Sequence, residues 1–250
     1  MSSPEFGERN QLFEEQFSAR ENFQFANEVL PSIDIRPENS AGMRPIFFIL
    51  GWNARIDDYK KAIQRIVVTG KRRVISFEPA GTEEEKAKEL IELLNLKGLE
   101  KISVIAHSVG AISSALAALE VPNRIKEMVF LNPASMMGSD TIRDLISRYS
   151  NLLKNQPDIK VPEVSSGRKI FDMARIITSF DMYGVRKKLG DLGVKVVSIH
   201  GFSDTLFPPS KIEQEASSRN LAINSDVYFE PGDHLKIDSF ITKALGLLDN

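Results

Sequence analysis

Cysteine is absent from all 250 residues. That one absence excludes disulfides, thiolate-held metal sites and a cysteine nucleophile together, and it fits a reducing compartment. Long apolar runs are missing too. No stretch approaches the ~20 residues that a membrane-spanning helix needs, and residues 1–10 have neither the basic head nor the apolar segment of a signal peptide. The expectation is a soluble, cytoplasmic protein without a membrane span. A surplus of either charge is also lacking, with 32 Lys and Arg against 34 Asp and Glu for a net charge of −2. No global positive field is available to hold nucleic acid, so Lys71-Arg72-Arg73 and Arg186-Lys187-Lys188 read as solvated faces. Histidine is scarce at 3 residues, which leaves few candidates for a general base. No cluster has metal-ligand spacing and no glycine-rich loop suits phosphate, so neither a metal nor a cofactor is expected.

What is present is enough apolar sequence, 42% of the chain, to bury one sizeable core. The stretch that organises the reading is Lys101 to Leu119. Ile102 to Ala106 is short, apolar and β-branched, as a strand buried on both faces should be. Ala111 to Leu119 is rich in Ala and Leu and reads as a closely packed helix. Only His107, Ser108 and Val109 remain for the turn between them, so the chain must reverse sharply. Ala106 and Gly110 flank Ser108 at two-residue offsets, which gives such a turn the small neighbours it needs.

A small-x-Ser-x-Gly turn between strand and helix resembles the nucleophile elbow of the α/β-hydrolase family, with Ala106 where the commoner form has Gly. The resemblance implies an α/β-hydrolase fold: a mostly parallel central sheet flanked by helices, with a small helical cap. It covers roughly residues 45–248. The elbow would hold the Ser108 hydroxyl in strained backbone at the carboxyl edge of the sheet, beside the positive end of the next helix. The Val109 N–H would then face negative charge growing on a substrate carbonyl.

The rest of the chain follows the same alternation. Residues 1–40 carry five phenylalanines, too many for a disordered tail, and leave open either antiparallel strands at the sheet edge or a helix lying on the domain. Ile46 to Leu50 is the expected first central strand. In the family the loop behind it commonly reads His-Gly and supplies a second oxyanion donor; here Leu50 replaces the His, Gly51 is kept, and Trp52 falls at the donor position. Ile56, Tyr59, Ile63 and Ile66 have helical spacing. Val74 to Phe77 is a strand, and Thr82 with Glu85 has the form of a capping box opening a helix. Glu127 to Leu131 is a further strand. Strand alternating with helix calls for a parallel sheet with right-handed crossovers.

Residues 135–193 break the rhythm, with helical patterns near 140–155 and 168–190 and no strand. The division expected is a core of 1–134 and 194–250 and a helical cap or crossover insertion over 135–193, with Val161 to Gly167 as its internal loop. Val194 to His200 resumes the strands and leads to Gly201-Phe-Ser-Asp204, which resembles the family's acid loop. Asp140 is a rival acid. Asp226 to Glu230 is the last strand, followed by His234 on a Gly-containing loop, the family's base position. His107 and His200 read as structural.

A serine hydroxyl is a poor nucleophile at neutral pH and needs a base, and the base needs a carboxylate to hold its tautomer. Ser108, Asp204 and His234 supply these in the order the resembling family shows. The resemblance implies hydrolysis of a small-molecule carboxylic ester through an acyl-enzyme, with Val109 and Trp52 as oxyanion donors. Met136, Phe202 and Leu206 are expected in the substrate pocket with Trp52. The same scaffold also carries thioesterases, amidases, C–C bond hydrolases, cofactor-free peroxidases and non-catalytic binding proteins.

Overall fold

The computed structural model describes residues 4–26, 28–38, 40, 42–138, 140–155, 167–223 and 225–248. Its strands are β1 (Glu21–Phe25), β2 (Glu28–Ile35), β3 (Ile46–Ile49), β4 (Val74–Phe77), β5 (Ile102–His107), β6 (Ile125–Leu131), β7 (Lys195–Gly201) and β8 (Val227–Glu230). They form one sheet in the order β1-β2-β4-β3-β5-β6-β7-β8. β1 pairs antiparallel with β2, and β2 with β4; every later neighbour is parallel. The apolar runs read from the sequence become the central strands because helices cover both faces, so that all four residues of β3 and of β4 are buried.

Alternation along each strand divides the core in two. Phe47, Ile49, Val104, Ala106, Met128 and Phe130 point into one cluster, whereas Ile46, Phe48, Ile105, Val129 and Leu131 point into the other. The helices follow in chain order: α1 (Pro4–Ser18), α2 (Lys60–Val68), α3 (Glu83–Leu96), α4 (Gly110–Glu120), α5 (Ile142–Asn155), α6 (Gly167–Ser179), α7 (Met182–Asp191), α8 (Pro209–Ser218) and α9 (Ile241–Leu248). α1, α2 and α9 cover the second cluster, and α3, α4, α7 and α8 the first. α3 begins as expected: Thr82 accepts the Glu85 N–H at 3.3 Å and Glu85 accepts the Thr82 N–H at 2.7 Å.

The open question over residues 1–40 resolves as both alternatives. α1 buries Phe13 and Phe17 on the domain, and the β1–β2 hairpin extends the sheet edge. The helical pattern over 168–190 is two helices, since Asp181 accepts the Gly184 N–H at 3.0 Å and caps a new start. α7 packs on α4 and β7 and is an ordinary crossover helix, while α5 and α6 pack on each other. The loop expected at 161–167 lies outside the described residues, apart from Gly167, which opens α6.

Candidate active site

Register brings three strand ends to one edge. Ile49 stands beside Ala106 and Ala106 beside Phe130, so Leu50, His107 and Leu131 follow each other at the carboxyl edge. Ser108 begins the turn there with φ of 51°, left-handed backbone that few non-glycine residues adopt. The Ser108 N–H donates to the Leu131 carbonyl at 3.0 Å, and the Ala134 N–H to the Ser108 carbonyl at 3.1 Å. Gly110 has no alternative: a Cβ there would stand 2.3 Å from the Leu50 carbonyl oxygen. The small residue two places after the serine is thus a demand of close packing between the elbow and the loop behind β3.

The elbow meets two distant loops. His234 Nε2 lies 3.1 Å from Ser108 Oγ, and His234 Nδ1 lies 2.9 Å from Asp204 Oδ2. A carboxylate oxygen can only accept, so Nδ1 carries the proton and Nε2 is free to accept from the serine hydroxyl. Asp204 is 2% exposed. Its other oxygen accepts the N–H groups of Leu206 at 2.8 Å and Phe207 at 2.9 Å. Burial by itself would raise the Asp204 pKa, but the neighbouring imidazole and these amides outweigh it and hold the carboxylate below its ordinary range. Phe207 sets its ring edge-on to His234, with centroids 5.1 Å apart. Among the described residues no acceptor takes the N–H of Val109 or of Trp52. α4 begins at Gly110 without a side-chain cap, and its first amides close the elbow, the Ala111 N–H donating to the Ser108 carbonyl at 3.2 Å and the Ile112 N–H to the Val109 carbonyl at 2.8 Å.

Residues 82–158 match a family model described as the alpha/beta hydrolase fold. Nearly all of the chain, or all of it, also superposes on solved structures. A naproxen esterase from Bacillus subtilis shares 15% identity, with all of each chain covered and a TM-score of 0.63. An enol-lactonase from Burkholderia xenovorans shares 12%, covering 92% of this chain and 100% of that one at a TM-score of 0.67. This is an alpha/beta-hydrolase fold. A carboxylesterase from the thaumarchaeon Nitrososphaera gargenis gives 18% identity, 92% and 95% coverage and a TM-score of 0.59. No curated protein matches the sequence.

In this alpha/beta-hydrolase fold a cavity of about 500 Å³ opens above Ser108 and His234. Trp52 and Leu206 line it. Met136 and Phe202 do not, and both expectations are corrected. Ser135, with φ of 66°, turns the chain after β6, and the Met136 side chain is wholly buried in the core, where its carbonyl accepts the Tyr183 hydroxyl at 3.0 Å. Phe202 leaves the sheet beside its edge strand β8, stacks on Phe229 at 6.1 Å and is 61% exposed. Asp140 stands apart from the imidazole, paired with Arg148 and, at 3.1 Å, with Lys211.

The sequence pattern missed most of the lining. Leu145, Ile146, Tyr149 and Leu152 form one face of α5, and Ile170, Met173, Ala174 and Ile177 one face of α6; both faces look into the cavity. Their helical spacing, i, i+1, i+4, i+7 in α5 and i, i+3, i+4, i+7 in α6, was the available signal. Trp52 reaches from the loop behind β3 to Tyr149 of α5, with ring centroids 5.8 Å apart. Among the described residues no group of His, Asp and Glu side chains is arranged to hold a metal ion, and no helix is long and apolar enough to cross a membrane.

Proposed function

We propose that the chain is a serine hydrolase that cleaves carboxylic esters through an acyl-enzyme. The observation that carries this reading is the unbroken hydrogen-bonded run Ser108 Oγ, His234, Asp204, with its proton direction fixed by the carboxylate. Ser108 attacks the ester carbonyl while His234 Nε2 takes the hydroxyl proton. Asp204 stabilises the imidazolium that forms and keeps its ring in place. The N–H groups of Val109 and Trp52 stabilise the oxyanion, each worth on the order of 3 kcal/mol in the barrier. His234 then gives the proton to the leaving alcohol, and water repeats the cycle on the acyl group.

The domain reading follows: residues 1–134 and 194–250 form the catalytic core and 135–193 an insertion, of which α5 and α6 act as the cap. The cavity falls in the ~300–1,000 Å³ range of sites that enclose small molecules. Its apolar roof favours an uncharged hydrophobic acyl or alcohol group. The names of the naproxen esterase and the carboxylesterase support the ester reading. The lack of cysteine supports a cytoplasmic setting.

The test compares p-nitrophenyl esters of increasing chain length with matched thioesters and amides. Esters should turn over fastest, and Ser108→Ala should abolish the rate. A folded wild type no faster than Ser108→Ala on every substrate would rule out hydrolysis; thioesters or amides turning over faster would redirect the reading to those bonds.

A further inference from the structure

Two buried ionisable groups beside the triad have no part in the proton transfers just described, namely Tyr59 and His107. Tyr59 ends the helical turn that follows the loop behind β3, and His107 immediately precedes Ser108. The two meet at 2.5 Å between the tyrosine oxygen and Nδ1. Their surroundings permit only one arrangement of protons. The His234 carbonyl can only accept, so His107 Nε2, 2.8 Å away, carries the ring proton. His107 Nδ1 is therefore the acceptor for the Tyr59 hydroxyl, whose oxygen accepts the Gly51 N–H at 3.0 Å. Burial keeps both groups neutral, holding the His107 pKa down to about 3 and pushing that of Tyr59 up.

The result is a one-directional strap from Gly51 N–H through Tyr59 and His107 to the carbonyl of His234. It also accounts for the glycine at 51, where a Cβ would stand 3.0 Å from both the Tyr59 oxygen and His107 Nδ1. Asn132 holds the far end, donating to the carbonyls of Asp233 at 2.9 Å and His234 at 3.2 Å. Its own side-chain oxygen accepts the Gly201 N–H at 2.8 Å. The loops bearing the proposed donor, nucleophile, acid and base are thus tied together by side chains whose hydrogen bonds go to the backbone and to each other, not to Ser108 Oγ or His234 Nε2.

Resting on the hydrolase reading, we infer that Tyr59 and His107 are positioning residues that hold the Trp52 amide and the His234 imidazole in register with Ser108. Holding the Gly51 amide places the next amide, that of Trp52. Holding the His234 carbonyl places the backbone from which the imidazole projects.

Tyr59→Phe removes one oxygen and keeps the ring. The kcat per active site, titrated with a fluorophosphonate, should fall about tenfold to a hundredfold, as small misplacements do, with KM within about twofold. His107→Gln, which keeps an N–H donor for the His234 carbonyl, should recover most of the kcat that His107→Leu loses. The double variant Tyr59→Phe with His107→Leu should be no slower than His107→Leu alone, since one strap cannot be cut twice. Amide exchange supplies a readout independent of turnover: Gly51 to Asn53 and Asp233 to Leu235 should exchange about tenfold faster in Tyr59→Phe while β5 does not change. An unchanged kcat per titrated site, additive losses in the double variant, or unchanged exchange would each overturn the inference. Absence of labelling and turnover in the folded wild type would instead defeat the hydrolase reading, and the exchange rates alone would then decide whether the strap holds these loops.

Discussion

The cavity has a floor and a roof built on different physics. The floor is the carboxyl edge of the sheet, where Ser108, His234, Asp204, Tyr59, His107 and Asn132 are joined by hydrogen bonds between 2.5 and 3.2 Å. The roof is α5 and α6, which present aliphatic side chains and one tyrosine to the cavity and are also tied to the rest at polar points. Among these are Ser135 donating to the Ile177 carbonyl at 2.7 Å and Arg148 donating to the Leu206 carbonyl at 2.8 Å. Hydrogen bonds fix directions, whereas apolar contact fixes only shape and volume. On the proposed hydrolase reading, the floor sets which bond is attacked and the roof sets what hangs from it. Substitution should act accordingly, with loss of rate below and altered selectivity above.

The largest effect should come from the floor. His234→Ala should lower kcat by on the order of 10⁴-fold or more while the melting curve stays cooperative; a loss below about tenfold would break the division. In the roof, Met173→Trp should fill part of the cavity and shift kcat/KM toward short acyl chains by about tenfold to a hundredfold. Turnover of an acetate ester should stay within about threefold, and a uniform loss across chain lengths would show that the roof also sets the chemistry.

Stability should expose two buried imidazoles, His107 of the floor and His200 within β7. Burial holds both His107 and His200 down to about 3 from the ordinary value of 6.5. Between those values the unfolded chain binds more protons than the folded one, so stability should fall as the pH drops through this window. Each imidazole contributes up to about 1.4 kcal/mol per pH unit. Asp204 adds to the loss at the acid end, because its depressed folded pKa stabilises only above the unfolded value. Urea midpoints from pH 7 to 4 measure the slope, and His200→Leu should remove roughly half of it. A flat profile would contradict the neutral assignment on which the strap depends. The smallest effect should follow Asp140→Asn, which loosens the tie between α5 and α8 at a cost of about 1 kcal/mol. It should leave kcat within about twofold, in contrast to Asp204→Asn.

Legibility in the sequence divided along the same line. The places of Ser108, Asp204 and His234, which the structure brings together, were readable because each lies in a short local pattern, a strand end followed by a turn. The central strands were readable because burial on both faces makes them uniformly apolar. Met136 and Phe202 were misplaced because adjacency to a strand end does not fix side-chain direction; the left-handed Ser135 sends one into the core, and the sheet edge exposes the other. Residues 1–40 stayed open because a helix and a hairpin share them. The strap was invisible for another reason: Tyr59 and His107 meet across 48 positions, and nothing near either residue announces the other.

Covalent labelling by a fluorophosphonate tests the central claim most directly, since it requires an activated hydroxyl, an oriented base and an oxyanion site at once. Intact mass and peptide mapping should find one adduct, on Ser108, lost in Ser108→Ala and formed far more slowly in His234→Ala. A folded protein that takes no adduct, or one that is labelled equally after Ser108→Ala, would contradict the account.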